Sequence, residues 1–166
     1  KAHESLSAQL AQHSITRRYK ALVYNNFAGD EGTVDAPIGR DPKNRLRQAV
    51  TQQNSKRAVT HWKVVERFGK YTLIEARLET GRTHQIRVHA LSQGFPLVGD
   101  DKYGDFAFNR ECTHGLLGAP LKRMFLHAWK LRFAHPVTGE PVDITAPLPE
   151  ELSAVISALE SKKAAQ

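Results

Sequence analysis

Two neighbouring runs in the middle of the chain constrain the fold more than any other feature. The runs AVTHWKVVERF (58–68) and YTLIEARLE (71–79) both have the composition and pattern of strands, and only Gly69 and Lys70 separate them. A two-residue link of this kind joins antiparallel neighbours in a hairpin. The centre of the fold is therefore predicted to be an antiparallel sheet.

The other periodic segments complete an α+β pattern around that hairpin. The other predicted strands are residues 17–25, 34–38, 123–133 and 140–147, the predicted helices are residues 4–12, 84–93 and 150–163, and residues 39–57 and 98–106 are predicted to be irregular. Thr83 is the predicted N-cap of the middle helix, and Gly94 ends it. No repeat or linker divides the 166 residues. We therefore expect a single domain, residues 1–166, of the α+β class, with a mixed, mostly antiparallel sheet and flanking helices.

The composition excludes several classes of protein. With 40% apolar and 25% charged residues, the chain has the make-up of a folded globular domain. It contains no apolar run of the length that spans a bilayer, and its polar first residues do not resemble a signal peptide. The single Cys112 excludes an internal disulfide framework. We therefore expect a cytoplasmic protein without a membrane partner.

The net charge of +7 is concentrated in the first part of the chain. Residues 1–98 hold 16 Lys and Arg against 8 Asp and Glu, whereas residues 99–166 hold 8 against 9. Six cations and one acid fall in residues 39–57, called the basic segment below. Such a run is either a solvated loop or a surface for a polyanion, and the charge alone leaves both interpretations open.

The polar stretch ETGRTHQIRVHA (79–90) follows directly on the second strand of the hairpin. Within its predicted helix, Ile86 and Ala90 lie four residues apart and are expected to face the sheet. Arg87 falls on the neighbouring stripe, at the margin of the core, where an unpaired guanidinium is costly. Its partner is either a structural carboxylate or a catalytic acid that Arg87 keeps ionised.

Sequence motifs for several common chemistries do not occur. His84 and His89 stand five residues apart with no glutamate or cysteine between them, which does not favour a metal site. The chain has no Gly-x-Ser-x-Gly elbow, no Walker loop and no Gly-x-Gly-x-x-Gly. Hydrolase, ATP and dinucleotide chemistry are therefore not indicated.

Tyr19 stands among Arg17, Arg18 and Lys20 on a predicted strand. It is either a core aromatic whose cationic neighbours reach outward, or a ring in a basic cleft that is suited to stacking on a nucleobase. The residues thus lead to the hypothesis of a basic, nucleic-acid-binding α+β domain with a site at Tyr19 and Arg87. They do not by themselves indicate a reaction.

The run RLETGRTHQIRVHALSQGFPLVGDDKYG (77–104) resembles the signature of the RluA/RluD-type RNA pseudouridine synthases. Segments in matching order support the resemblance, which covers residues 1 to 150: AHESLSAQL and RRYKALV, VDAPIGRD, RAVTHWKVVERF, and FLHAWKLRFAHPVTGEPVDITAPLP. The resemblance implies a pseudouridine synthase-like fold and an isomerase that converts specific uridines to pseudouridine in large-subunit ribosomal RNA or in transfer RNA. It implies no metal and no redox cofactor, and RNA as the partner.

The resemblance also implies roles for individual residues. Arg87 would pair with the family's essential aspartate, and Tyr19 would stack on the target base and take part in proton transfer at C5. Leu126 would form an apolar wall of the uracil pocket. Arg82 and His84 would lie at the mouth of the site. The remaining implied RNA contacts are cations of the first strand and of the basic segment: Lys20, Lys43, Arg45 and Arg47.

The essential aspartate itself has no counterpart here. In the family it lies in an Arg-Leu-Asp-x-x-Thr-Ser-Gly type motif upstream of the AHESL helix, and none of the chain's aspartates has that context: Asp30, Asp35, Asp41, Asp100, Asp101, Asp105 and Asp143. We therefore expect the C-terminal part of a catalytic domain, truncated on its N-terminal side and without turnover alone. Such a domain is expected to be a monomer when complete and to self-associate through an uncovered sheet edge when truncated.

Two other functions are set against the synthase. A non-catalytic RNA-binding remnant of the same fold would use the basic surface without chemistry. A DNA-binding module is not favoured, because no segment resembles a helix-turn-helix or a zinc finger.

Overall fold

The computed structural model describes residues 2–11, 15–25 and 28–165. The helices are α1 Ala2–Ala11, α2 Gln85–Ser92, α3 Phe106–Thr113 and α4 Glu150–Ala164. The strands are β1 Thr16–Tyr24, β2 Glu31–Asp35, β3 Ile38–Arg40, β4 Gln48–Val50, β5 Ser55–Lys56, β6 Val59–Arg67, β7 Tyr71–Leu78, β8 Leu126–Ala134 and β9 Pro141–Thr145. The α+β class is confirmed. Among the described residues, no helix combines the length and apolar character needed to cross a bilayer.

Six of these strands form the main sheet in the order β2-β6-β7-β1-β8-β9. Every pairing described within it is antiparallel. The predicted hairpin is confirmed as β6–β7, whose register runs from Thr60 opposite Leu78 to Arg67 opposite Thr72. A second hairpin, β8–β9, pairs Lys130 with Thr145 and extends the sheet on the far side of β1.

The alternation of side chains along β1 divides the core between two faces of the sheet. Ala21 and Val23 lie on what we call the front face, where Ile86 and Ala90 of α2 pack against them as predicted. Leu22 lies on the back face, in a separate cluster with residues of α3 and α4. A strand buried on both faces needs apolar residues at successive positions, and the run Ala-Leu-Val supplies them.

Two short pieces of regular structure were not predicted, one within the basic segment and one that begins at the end of the predicted loop 98–106. In the basic segment, β3 pairs with both β4 and β5 in a small three-stranded sheet. Helix α3 starts at Phe106, where the predicted loop ends, and Asp105 caps it by accepting a hydrogen bond from the Phe108 backbone N–H at 3.0 Å. Both elements are short, and their stability depends on contacts with distant parts of the chain rather than on a local periodic pattern.

The first helix lies beside the end of β8. The amide of Gln9 donates to the Ala134 carbonyl at 2.8 Å and accepts from the Ala134 backbone N–H at 2.8 Å. The predicted helix 4–12 therefore agrees with α1 up to residue 11, and Gln12 lies outside the described residues. The expected self-association through a sheet edge stays a prediction.

Candidate active site

A buried polar network fixes the segment that joins β7 to α2. The side chain of Gln85 is almost fully buried, and its carbonyl oxygen accepts from the Thr80 hydroxyl at 2.7 Å and from the Arg82 backbone N–H at 3.0 Å. Its amide nitrogen donates to the Val59 carbonyl and to the Thr60 hydroxyl, both at 2.9 Å. These four bonds use the full capacity of the amide group and attach the start of α2 to β6.

His89 continues this network towards the basic segment. Its Nε2 lies 2.8 Å from the Ala36 carbonyl, which can only accept, so Nε2 carries the proton and Nδ1 accepts from Thr60 at 2.8 Å. Burial lowers the pKa of His89, against the opposing effect of its bond to Ala36. A neutral imidazole with both nitrogens bonded is a structural element of the fold.

The helix begins differently from the prediction. Thr83 is not the N-cap: the helix starts at Gln85, and His84 occupies the N-cap position with φ 57° and no side-chain cap. This left-handed residue turns the chain sharply, and the Gln85 side-chain carbonyl accepts a hydrogen bond from the Arg82 backbone N–H. The His84 side chain is directed instead to Tyr103, with Nδ1 2.8 Å from the phenolic oxygen.

Arg87 pairs with a carboxylate of the same chain. Its Nε lies 2.9 Å from Asp100 Oδ2, and its Nη2 lies 2.7 Å from Asp100 Oδ1. The Asp100 side chain is fully buried and that of Arg87 is 14% exposed. Burial would raise the pKa of Asp100, but the bonds from Arg87 and from the backbone N–H groups of Tyr103 and Lys102 outweigh it and lower that pKa. The pair is a bidentate, charge-assisted contact at the margin of the core.

This pairing supplies one of the two partners that the sequence left open for Arg87, a structural carboxylate. A pairing of Arg87 with the aspartate of the separate motif, which the family resemblance implied, stays a prediction. The contact with Asp100 depends on the turn at Gly99, which has φ 82° and where a side chain would collide with the Arg123 carbonyl. That turn brings Asp100 against α2, which the pattern of single residues does not reveal.

The Nη1 group of the Arg87 guanidinium does not take part in the pairing with Asp100. Nε and Nη2 make all the hydrogen bonds described for the group, including one from Nη2 to Asp101 at 3.3 Å. Among the described residues, Nη1 has no hydrogen-bond partner. A guanidinium has five donors, so Asp100 can hold Arg87 in place while Nη1 presents a cationic edge to another anion.

Tyr19 lies on the front face between two alanines. Its neighbours in the sheet are Ala76 of β7 and Ala128 of β8, and the β1–β8 register shifts next to it, between Arg18 and Tyr19. Small neighbours on both sides leave room around a large ring. The ring is half-buried and packs, together with Leu126, against the front-face apolar cluster. The structure thus brings Tyr19 and Leu126 together.

Lys20 and Arg82 each contact other parts of the chain. Lys20 lies on the back face, and its Nζ is 4.2 Å from the centroid of the Trp129 ring. Arg82 is half-buried, and its Nε donates to the Arg57 carbonyl at 2.7 Å. Arg82 therefore connects the polar stretch to the end of the basic segment.

The basic segment presents its cations in two ways. Lys43 and Arg45 are exposed in the turn between β3 and β4. Arg47 is half-buried, with its guanidinium carbon 4.6 Å from the centroid of the Tyr103 ring and its Nε 3.8 Å from Asp41. Only part of the segment is thus a solvated surface, and its base is attached to the loop after α2.

Sequence reasoning missed three residues that organise this region: Gln85, Asp100 and Tyr103. Gln85 stood within the polar stretch, but its partners lie on β6 and cannot be inferred from spacing. Asp100 and Tyr103 fall in the GDDKYG end of the family-like run. The signal that could have indicated Asp100 is a Gly-Asp pair that directly follows the apolar residues FPLV.

Comparison with known proteins defines the class. The family model described as RNA pseudouridylate synthase matches residues 1–92, which is more than half of the chain. The chain therefore belongs to the RNA pseudouridylate synthase family, as the sequence predicted.

The relatives found in the comparison agree with this assignment. The chain is 49% identical over 161 residues to the uncharacterized RNA pseudouridine synthase YlyB of Bacillus subtilis, with 95% of this chain and 48% of that protein covered. It is 45% identical over 158 residues to the ribosomal large subunit pseudouridine synthase D of Nitrosomonas europaea, with 95% and 45% covered. The chain spans about half the length of the curated relatives it matches.

A solved structure supports the fold. The human RNA pseudouridylate synthase domain containing 1 superposes with a TM-score of 0.71 at 25% sequence identity, over 95% of this chain and 71% of that one.

Proposed function

We propose that this protein isomerises specific uridines to pseudouridine in RNA. The single observation that carries the proposal is the family match over residues 1–92, which contains both Tyr19 and Arg87. In the reaction the bond between the ribose C1′ and the base N1 breaks, and a bond between C1′ and C5 forms. The C5 proton leaves and N1 gains a proton, so the reaction is balanced without a redox partner.

The front face offers groups for the uracil base. Tyr19 and Leu126 belong to the same apolar cluster and can hold a flipped-out base between an aromatic ring and an aliphatic side chain. Arg87, held by Asp100, would present Nη1 to an anionic group. The step at the sugar is assigned to no residue of this chain, because the aspartate motif that the family resemblance implies does not occur among these 166 residues.

Ribosomal RNA is the substrate class that we favour. The basic segment carries exposed cations that suit a phosphate backbone, and similar proteins such as that of Nitrosomonas europaea carry the name ribosomal large subunit pseudouridine synthase D. The proposal includes a cytoplasmic site of action and RNA, without a membrane, as the partner. Transfer RNA is the alternative substrate.

The RNA-binding part of the proposal can be tested through the exposed turn. In the full-length protein, Lys43→Glu combined with Arg45→Glu should weaken binding of a large-subunit ribosomal RNA fragment. If both cations contact phosphates, the slope of log K against log salt should fall in magnitude by roughly 1.5–2. Lys70→Glu combined with Arg110→Glu, an equal change of charge at other exposed positions, is the control. Equal effects of the two pairs would show that the basic segment is only a solvated surface.

The pairing of Arg87 with Asp100 favours a second candidate. If Arg87 serves only to bind Asp100, the chain belongs to a protein that binds RNA and does not isomerise uridine. Pseudouridine in the bound RNA distinguishes the two candidate functions, because only the enzyme forms it from uridine.

A further inference from the structure

Tyr103 joins two regions that the proposed function uses for different purposes. Its side chain is 3% exposed, and its phenolic oxygen accepts from the Gln48 backbone N–H at 2.9 Å. The same oxygen lies 2.8 Å from His84 Nδ1. Gln48 belongs to the basic segment and His84 to the start of α2, so one hydroxyl bridges the two.

The second hydrogen bond of the Tyr103 hydroxyl is the one with His84. Burial and the nearby positive charges of Arg87 and Lys102 lower the pKa of His84, against a smaller opposing effect of Asp100. The partners described for the phenolic oxygen are the Gln48 N–H, which can only donate, and His84 Nδ1, so the phenol satisfies its O–H by donating to His84 while it accepts from Gln48. Both bonds are satisfied in one orientation of the phenol.

Two guanidinium groups lie close to the ring of Tyr103. The guanidinium carbon of Arg47 lies 4.6 Å from the ring centroid, and that of Arg87 lies 5.0 Å from it. Both distances are within the range in which an aromatic face attracts a cation. The ring thus contacts a cation of the basic segment and the candidate active-site arginine together.

Reciprocal contacts to the backbone strengthen this connection. Arg47 Nη1 donates to the Lys102 carbonyl at 3.2 Å, and Lys102 Nζ donates to the Leu46 carbonyl at 3.2 Å. On the other side of Tyr103, its backbone N–H donates to Asp100 Oδ1 at 3.0 Å. The acid that binds Arg87 therefore also fixes the residue that binds the basic segment.

We propose that Tyr103 is a positioning residue for RNA: it holds the basic segment in register with Arg87, so that phosphate contacts of the segment align a uridine with the site. This inference rests on the proposed function, because it needs RNA as the ligand of the segment. Tyr103 itself touches neither substrate nor reacting atoms. Its effect is to reduce the number of arrangements that the segment samples before RNA binds.

The test uses the full-length protein with Tyr103→Phe, which removes the bridging hydroxyl and keeps the buried ring. We expect the KM for RNA to rise on the order of three- to tenfold, as the loss of one or two hydrogen bonds would produce, with kcat at saturating RNA unchanged. Tyr71→Phe, which alters a half-buried tyrosine on the back face, should change neither value. Arg47→Gln, which keeps Tyr103 but removes a cation from its ring, should raise KM as well.

A double-mutant cycle separates positioning from general loosening of the fold. If Tyr103 acts through the basic segment, Tyr103→Phe should change KM little once Lys43→Glu and Arg45→Glu are present. Hydrogen exchange should show faster exchange of the Gln48 amide in Tyr103→Phe, with α4 unaffected.

Each outcome has a distinct meaning. An unchanged KM, an equal rise in KM in both backgrounds, or a fall in kcat alone would overturn the positioning role and leave the proposed function standing. A wild-type protein that binds no RNA would overturn the proposed function, and the role of Tyr103 in placing RNA with it.

Discussion

At the scale of single residues, Asp100 has a structural role that the sequence did not indicate. It is fully buried, bonds both Nε and Nη2 of Arg87, and accepts from the backbone N–H groups of Lys102 and Tyr103. Breaking a buried ion pair leaves an uncompensated charge, which costs more than the pair itself contributes.

Asp100→Asn should therefore lower the free energy of unfolding by about 3 kcal/mol, because Arg87 loses the buried counter-charge described for it. Urea denaturation of the full-length protein would measure this change. Asp101→Asn is the matched control, since Asp101 is the next residue, lies 3.3 Å from the same Nη2 and is 96% exposed. It should change stability by less than about 0.5 kcal/mol. Comparable losses in the two variants would contradict the assignment of the pair to the core.

At the scale of elements, the junction between β7 and α2 depends on Gln85. Its side chain accepts hydrogen bonds from Thr80 and Arg82 and donates to Val59 and Thr60. A leucine of similar size would fill the space but would leave the Arg82 backbone N–H and the Thr80 hydroxyl donor without their acceptor.

Gln85→Leu should consequently lower stability by about 3 kcal/mol, the cost of a few buried polar groups left unsatisfied. Thermal unfolding should show a clearly reduced Tm. Gln93→Leu, at the exposed C-cap of the same helix, should leave the Tm almost unchanged. An unaltered Tm for Gln85→Leu would show that the network does not hold the helix.

The same junction shows what the sequence could and could not predict. The strand pattern of 71–79 and the pair Ile86 and Ala90 are local signals, and both gave the observed structure. The helix start was placed on Thr83 because a threonine before a helix usually caps it. The structure uses His84 in a left-handed conformation instead, since Gln85 bonds to a strand about 25 residues earlier in the chain. Local residue patterns do not predict contacts between residues so far apart in the sequence.

At the scale of the whole molecule, two histidines connect stability to pH. Burial lowers the pKa of both His84 and His89, and the charges of Arg87 and Lys102 lower that of His84 further. In the unfolded chain each histidine would have a pKa of about 6.5. The unfolded state therefore binds protons first, and stability should be fully present above that value and fall as pH decreases below it.

Denaturation at a series of pH values between about 7.5 and about 5 would test this expectation. The free energy of unfolding should fall with decreasing pH, and His84→Gln should reduce the slope. His114→Gln, at an exposed histidine of another region, serves as control. A slope that His84→Gln leaves unchanged would show that His84 does not contribute to it.

Whole-molecule features also set the limit of prediction for the site. Tyr19 and Leu126 could be named as candidates from the family-like motifs, and the structure places both against one apolar cluster, while their roles stay predictions. The partner of Arg87 could not, because the Gly99 turn that delivers Asp100 is a matter of backbone geometry. The small sheet of the basic segment was missed for a similar reason: strands of two or three residues have no period to detect.

The most direct measurement is the release of tritium from RNA that carries [5-³H]uridine, since forming the C1′–C5 bond expels the hydrogen at C5. The full-length protein, incubated with large-subunit ribosomal RNA labelled in this way, is expected to release tritium in step with pseudouridine formation. Tyr19→Phe should bind the RNA and release little. Binding without release by the wild-type protein would contradict the account and leave an RNA-binding protein without catalysis.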